Sequence, residues 1–168
     1  QRAARLAQTI VFTSQGTPFM FAGEELFRDK KGVHNSYKSP DSINAIDWNL
    51  KHTNAEQMEY YKQLIRLRKE HPAFRMTTAE QVARHIKFDK TAPGLISYSL
   101  IDHANGDAYK EIKVIFNGSA ENREIKVAKG NWTVLAEDGR LNASGLGTSK
   151  GGKLIVAPTS ALILAREK

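Results

Sequence analysis

Glu24 and Glu25 stand side by side after Gly23, and two carboxylates can divide the roles of general acid and general base. Adjacent residues at a strand end point to different sides, however, so the pair is not expected to share one reacting bond. Glu25 is expected instead to order loops by accepting backbone hydrogen bonds. His34, His52, His71, His85 and His103 are scattered, with no His-x-x-x-His pair and no local cluster of carboxylates. The chain has no cysteine, which excludes a disulfide framework, a thiolate zinc site and a cysteine nucleophile. Neither a metal nor another cofactor is expected.

The elements around these residues follow from periodicity. Ala3, Leu6, Ala7, Ile10 and Val11 recur at helical spacing and predict a helix over 2–14, ended by Gln15-Gly16 with the glycine as a left-handed cap. Thr17–Ala22 is a short, continuous apolar run opened by Pro18, the pattern of a parallel strand buried on both faces. Residues 24–53 lack periodicity, and a loop of that length is usually functional. Residues 55–71 predict a second helix, capped by Asn54 with Gln57 three positions on and stopped by His71-Pro72. Beyond Met76 the pattern becomes that of an antiparallel all-β module. Strands are expected over 81–89, 95–102, 111–117, 123–128, 131–137 and 153–166, with turns at Asn105-Gly106, Asn117-Gly118, Asp138-Gly139 and Gly151-Gly152.

Composition bounds the function classes. Of 168 residues, 40% are hydrophobic and 26% charged, as in folded domains with a core. The longest apolar runs, such as Ala161–Ala165, suit a buried strand and fall far short of the ~18 residues of a membrane span. The net charge of +7 divides evenly about Met76, +4 before it and +3 from it onward, and is mixed with acids. Nucleic-acid binders concentrate their basic residues, so that partner is excluded. The chain opens Gln1-Arg2-Ala3 with no initiator methionine, and a lone parallel strand needs neighbours. Both features predict a piece cut from something longer.

Gly16-Thr17-Pro18-Phe19-Met20-Phe21-Ala22-Gly23-Glu24-Glu25 fits G-x-P-x-x-x-x-G-x-E and resembles the eighth barrel strand of the α-amylase superfamily. Asn35-Ser36-Tyr37-Lys38-Ser39-Pro40-Asp41-Ser42-Ile43-Asn44-Ala45-Ile46-Asp47-Trp48 resembles the post-strand loop of type I pullulanases, N-S-Y-x-S-x-D-x-x-N-x-x-D-W. Tyr60-Tyr61-Lys62, Leu67-Arg68-Lys69 and His71-Pro72-Ala73-Phe74 are similar to that family's last barrel helix. The resemblance implies an α+β fragment. Residues 1–76 would be the end of a (β/α)8 barrel, comprising its seventh helix, eighth strand, substrate loop and eighth helix; residues 77–168 would be an antiparallel C-terminal β-sandwich. It implies a parent that hydrolyses α-1,6 branch linkages of pullulan and related α-glucans with retention. Two carboxylates, nucleophile and acid/base, would follow the fourth and fifth strands, and a third aspartate the seventh. All three would precede Gln1, so no residue here receives a catalytic role and the fragment is expected to be inactive. The alternative is a free-standing carbohydrate-binding or structural β-sandwich.

Active sites of such barrels lie at the C-terminal strand ends, so residues 23–48 would begin at that rim. The resemblance nominates Asp41 and Asn44 as contacts to glucose hydroxyls, with Asn35, Tyr37 and Arg28 as further substrate-binding candidates. Against this, Asp41 also reads as a turn residue after Pro40, Asn44 as a turn-stabilising amide, and Arg28 as an ion-pair partner of Asp29, Asp41 or Asp47. Trp48 is expected to pack where the loop returns to the barrel, and Trp132 to lie in the sandwich core. The expected partner is an α-glucan polysaccharide, through the parent enzyme. Exposed barrel surfaces predict a homodimer.

Overall fold

The computed structural model describes residues 1–167. They form an α+β assembly with antiparallel sheets, divided into two compact units: residues 1–18 with 63–167, and residues 19–62.

In the first unit, α1 (Arg2–Thr13) buries Leu6, Thr9, Phe12 and Thr13 on one face. It ends at Ser14 in an extended conformation. Gly16, with φ 86°, lies beyond the end and is not the cap expected of it. The final carbonyls of a helix lack partners within the helix, and side chains collect them here. Arg68, itself 7% exposed, donates to Phe12 O at 2.9 Å, to Ser14 O at 2.7 Å and to Gly16 O, while Tyr98 Oη donates to Thr13 O at 3.0 Å. Gln15 continues the seam, donating to Ala73 O and accepting from Met76 N, both at 2.9 Å. Arg68 belongs to α4 (Ala55–Glu70), whose bounds match the expected second helix. Asn54, just before this helix, donates its amide to Leu26 O at 2.8 Å.

After Met76 comes a helix where a strand is expected: α5 (Ala79–His85), then the short β1 (Ile86–Phe88). Thr78 Oγ1 accepts from Gln81 N at 3.2 Å, and Gln81 Oε1 accepts from Thr77 N at 3.1 Å. This reciprocal capping stabilises a helical start and outweighs the β propensity of the stretch. The strands β2 (Leu95–Ile101), β3 (Glu111–Asn117), β4 (Arg123–Val127) and β5 (Trp132–Glu137) fall where expected. Two short strands were not foreseen, β6 (Arg140–Leu141) and β7 (Gly147–Ser149). The single strand expected over 153–166 is two, β8 (Gly152–Val156) and β9 (Ser160–Arg166), in different sheets. Thr159, with φ 45°, turns the chain between them.

The large sheet runs β1-β2-β3-β9-β5-β6 with β7 also on β5; β4 and β8 form a second sheet. Both are antiparallel throughout. Leu95, Ile115, Trp132, Val134, Leu162 and Leu164 of the large sheet pack with Ile125, Val127 and Val156 of the small one. Alternate residues Ile112, Val114 and Ile163 are buried on the opposite face, where α1 packs against β9. Burial on both faces explains why β9 is continuously apolar rather than alternating. Trp132, 1% exposed, is the core residue expected, with its indole N–H donating to Ala128 O at 2.9 Å. The turn that faces it admits only glycine at 151, where φ is 69° and a Cβ would lie 2.2 Å from Ala128 O.

His71 and Asp107 make a buried pair, Nδ1 to Oδ1 at 3.3 Å. Burial opposes the Asp107 charge, but the bond from His71 and the N–H groups of Tyr109 and Ala73 outweigh it. They hold the carboxyl below its ordinary value. A depressed carboxyl contributes stability that is present above the unfolded value, about 3.9, and is lost as pH falls through the folded one. Asp107→Asn should therefore cost about 2 kcal/mol in urea unfolding at neutral pH, with the deficit against wild type shrinking below about pH 4; a deficit constant down to pH 2 would contradict this. Arg68→Met should cost about 3 kcal/mol, because it strands buried carbonyls, and Arg68→Lys should recover part of it.

Candidate functional site

The second unit, residues 19–62, contains all five sequence-nominated binding residues. Thr17–Ala22 forms no strand there, since no β ladder within the described residues includes it. A parallel strand is stable only with hydrogen-bonded neighbours on its flanks, and without them the segment is extended coil with Phe19 82% exposed.

Gly23 then sets the loop. At φ 95° it occupies the left-handed region, and its carbonyl accepts from Leu26 N and Arg28 N at 3.0 and 2.9 Å, closing a tight helical turn over Glu24–Leu26. A Cβ at position 23 would sit 2.6 Å from Arg28 Cδ, so glycine is required both for conformation and for space. Glu25 Oε2 accepts from Gly23 N at 3.0 Å, the loop-ordering role expected of it. Tyr61, 3% exposed, has its hydroxyl pushed upward chiefly by burial and then by the charges of Glu24 and Glu25, against a hydrogen bond from Gln57.

Arg28 does not make the ion pair expected with Asp29, Asp41 or Asp47. Its guanidinium donates to Ala22 O at 3.2 Å and to Asn44 O, and lies 5.5 Å from the Phe21 ring centroid. Asp29 and Asp47 are exposed and accept from the backbone two residues on, Lys31 N and Asn49 N, both at 2.9 Å. A short aspartate side chain readily closes such a turn with its own backbone.

Asn44 is the centre of the loop. Its Nδ2 donates to Ser36 O at 2.8 Å and Ser39 O at 2.7 Å, and its Oδ1 accepts from Lys30 Nζ at 2.7 Å. Lys30 was not singled out from sequence. Its ammonium also lies 5.7 Å from the Phe21 ring, and loss of water followed by the Arg28 charge lowers its proton affinity. A lysine and an aromatic nine residues apart carry no local signature, so only the folded loop shows the association. Asn35 Oδ1 accepts from Tyr37 N at 3.2 Å.

Asp41 opens α2 (Asp41–Asn44) and is exposed, and its carboxylate has no hydrogen-bond partner among the described residues. Tyr37 is 84% exposed. Trp48 is 61% exposed, so the packing expected of it is not made within this chain; the short turn α3 (Leu50–Thr53) that follows leaves the indole uncovered. The loop thus presents a free carboxylate, a phenol and an indole on a backbone fixed by Asn44, Arg28 and Lys30. Such a surface can bind hydroxyl-rich ligands through hydrogen bonds and ring faces. Among the described residues no group of His, Asp or Glu could hold a metal ion, and no helix is long and apolar enough to cross a membrane.

Comparison with known proteins gives this geometry its context. A family model described as the all-beta domain of pullulanase matches residues 82–140. Pullulanase from Bacillus subtilis strain 168 is 44% identical over 123 residues, 73% of this chain and 17% of that protein. Pullulanase from Bacillus acidopullulyticus superposes with a TM-score of 0.93 at 36% identity, covering 98% of this chain and 20% of that one. The Anoxybacillus sp. LM18-11 pullulanase complexed with maltotetraose superposes with a TM-score of 0.86 at 37% identity, over 98% and 23% of the two chains. The chain spans about a fifth of the length of these relatives. Alike in sequence and in fold over nearly all its residues, the chain belongs to the pullulanase family.

Proposed function

We propose that this chain is part of a retaining glycoside hydrolase that cleaves α-1,6-glucosidic branch linkages in pullulan and related α-glucans. In this reading residues 1–76 complete a (β/α)8 barrel and residues 77–168 are its C-terminal sandwich. The observation that carries the reading is the Asn35–Trp48 run, folded into a self-braced loop on a chain that matches pullulanases over 98% of its residues. The relative solved with maltotetraose supports a maltooligosaccharide-like ligand.

The loop is assigned to the substrate cleft, at the strand ends where such barrels bind. Asp41, Tyr37 and Asn35 supply contacts to glucose; Asn44 and Arg28 hold the backbone that presents them. Hydrolysis with retention needs two carboxylates about 5–5.5 Å apart. The family resemblance assigns that pair to earlier strands of the parent barrel, outside this chain, and leaves Glu25 its loop-ordering bond from Gly23 N.

The purified chain should release no reducing sugar from pullulan, and turnover that copurifies with it would overturn the assignment. In the parent enzyme Asp41→Ala should raise KM about tenfold, the equivalent of one charged hydrogen bond, with kcat little changed. Asn44→Ala should also speed amide exchange through 36–44, which Asp41→Ala should not. Equal exchange in both variants would remove the distinction between contact and support. Phe19 and Phe21 are exposed on this chain, and the reading gives them barrel neighbours in the parent. The isolated chain should consequently form a homodimer in sedimentation, and Phe19→Ser with Phe21→Ser should return it to monomer.

A further inference from the structure

We propose a second α-glucan contact on the β module, separate from the loop. A groove of about 360 Å³ opens at the end of the large sheet, lined by Tyr109, Asn131, Trp132, Thr133, Thr148 and Arg166 among others. Its volume falls within the range of small-molecule sites. The ligand class follows from how its charges are used. Arg166 gives both Nε, at 2.9 Å, and an Nη to Glu111 Oε2, and its guanidinium lies 4.5 Å from the Trp132 ring centroid. Glu111 Oε1 accepts in turn from Ser99 Oγ at 2.9 Å. Lys150, which reaches the groove residue Asn131, is engaged by its Oδ1 at 2.7 Å. With its cations neutralised the groove offers little to an anion.

Beside the exposed carboxylate of Glu167, which repels an anion further, what remains is uncharged hydrogen-bonding capacity. Thr133 and Thr148 are cross-strand partners on β5 and β7. Their hydroxyls, the Asn131 amide N–H₂ and the Tyr109 hydroxyl make no hydrogen bond among the described residues. Each hydroxyl both donates and accepts, as does each hydroxyl of a sugar, while the threonine methyls supply apolar contact over the buried Trp132 and Ala165. A neutral polyhydroxylated ligand fits this set, and the α-glucan of the proposed function is one. The inference goes beyond that function, since the groove shares no residue with the loop.

The test is calorimetric titration of maltotriose into the full chain carrying Tyr37→Ala and Asp41→Ala, which removes the loop contacts. Saturable binding is expected, with a shift of the Trp132 indole N–H resonance. Adding Thr133→Val and Thr148→Val, which keep the β-branched shape, should weaken it at least about tenfold. Asn131→Asp removes the free donor, keeps the acceptor that Lys150 uses, and lies outside the strands; it should also weaken binding. Maltotriose binding by the unmodified chain but not by the loop variant would overturn the second site and leave the loop assignment standing. Binding in the loop variant that is untouched by the threonine and asparagine changes, or displaced by inorganic phosphate, would overturn it as well.

Discussion

One buried guanidinium holds the first helix to the rest of its unit. Arg68 reaches from α4 to the carbonyls of Phe12, Ser14 and Gly16, with Tyr98 taking Thr13 between them. A helix end without partners for its carbonyls is costly when buried. A buried charge without partners costs more. Each problem answers the other here. The arginine fork spreads its charge over several backbone dipoles, which a lysine point charge serves less well. Burial and the neighbouring Arg75 both weaken its hold on the proton, so the carbonyls must supply what a carboxylate would elsewhere.

The sandwich depends on a different constraint. Strands β3 and β9 are covered on both faces, so a register slip of one residue would gain nothing in hydrophobic pattern and would not be corrected by it. Polar pairs fix the register instead. Arg166 is opposite Glu111 in the ladder and bonds it. Lys113, 7% exposed, meets Asp89 and Ser99. Asn117, buried at the other end of β3, ties the strand to Glu121, Val156 and Ala157 through their carbonyls. Unsatisfied buried groups are expensive, which makes each of these a penalty against misregistration.

The loop of the candidate site is built on the same economy of backbone groups. Gly23 gives the turn, Arg28 lies where its Cβ would be, and Asn44 gathers the carbonyls of Ser36 and Ser39 while Lys30 holds its oxygen. These residues are consumed internally, so Asp41 and Tyr37 can be displayed rigidly at the surface. A preorganised polar surface loses less entropy when it engages a ligand.

The sequence by itself determined the two long helices, the antiparallel strands β2 to β5 of the second half, the Trp132 core position and the pullulanase kinship, because each rests on local periodicity or contiguous motifs. Thr78-x-x-Gln81 was also legible as a capping signal, though β propensity obscured it. Tertiary structure decided the rest. Thr17–Ala22 has strand composition but no strand, because ladder hydrogen bonds come from neighbours and not from the segment's own residues. Residues 153–166 became strands of two sheets because Thr159 turns where no glycine marks it. Arg28 took carbonyls rather than carboxylates, its partners Ala22 and Asn44 lying six and sixteen residues away along the chain. In each case the deciding partner lies elsewhere in the chain or competes for the same group, and spacing along a sequence does not record that competition.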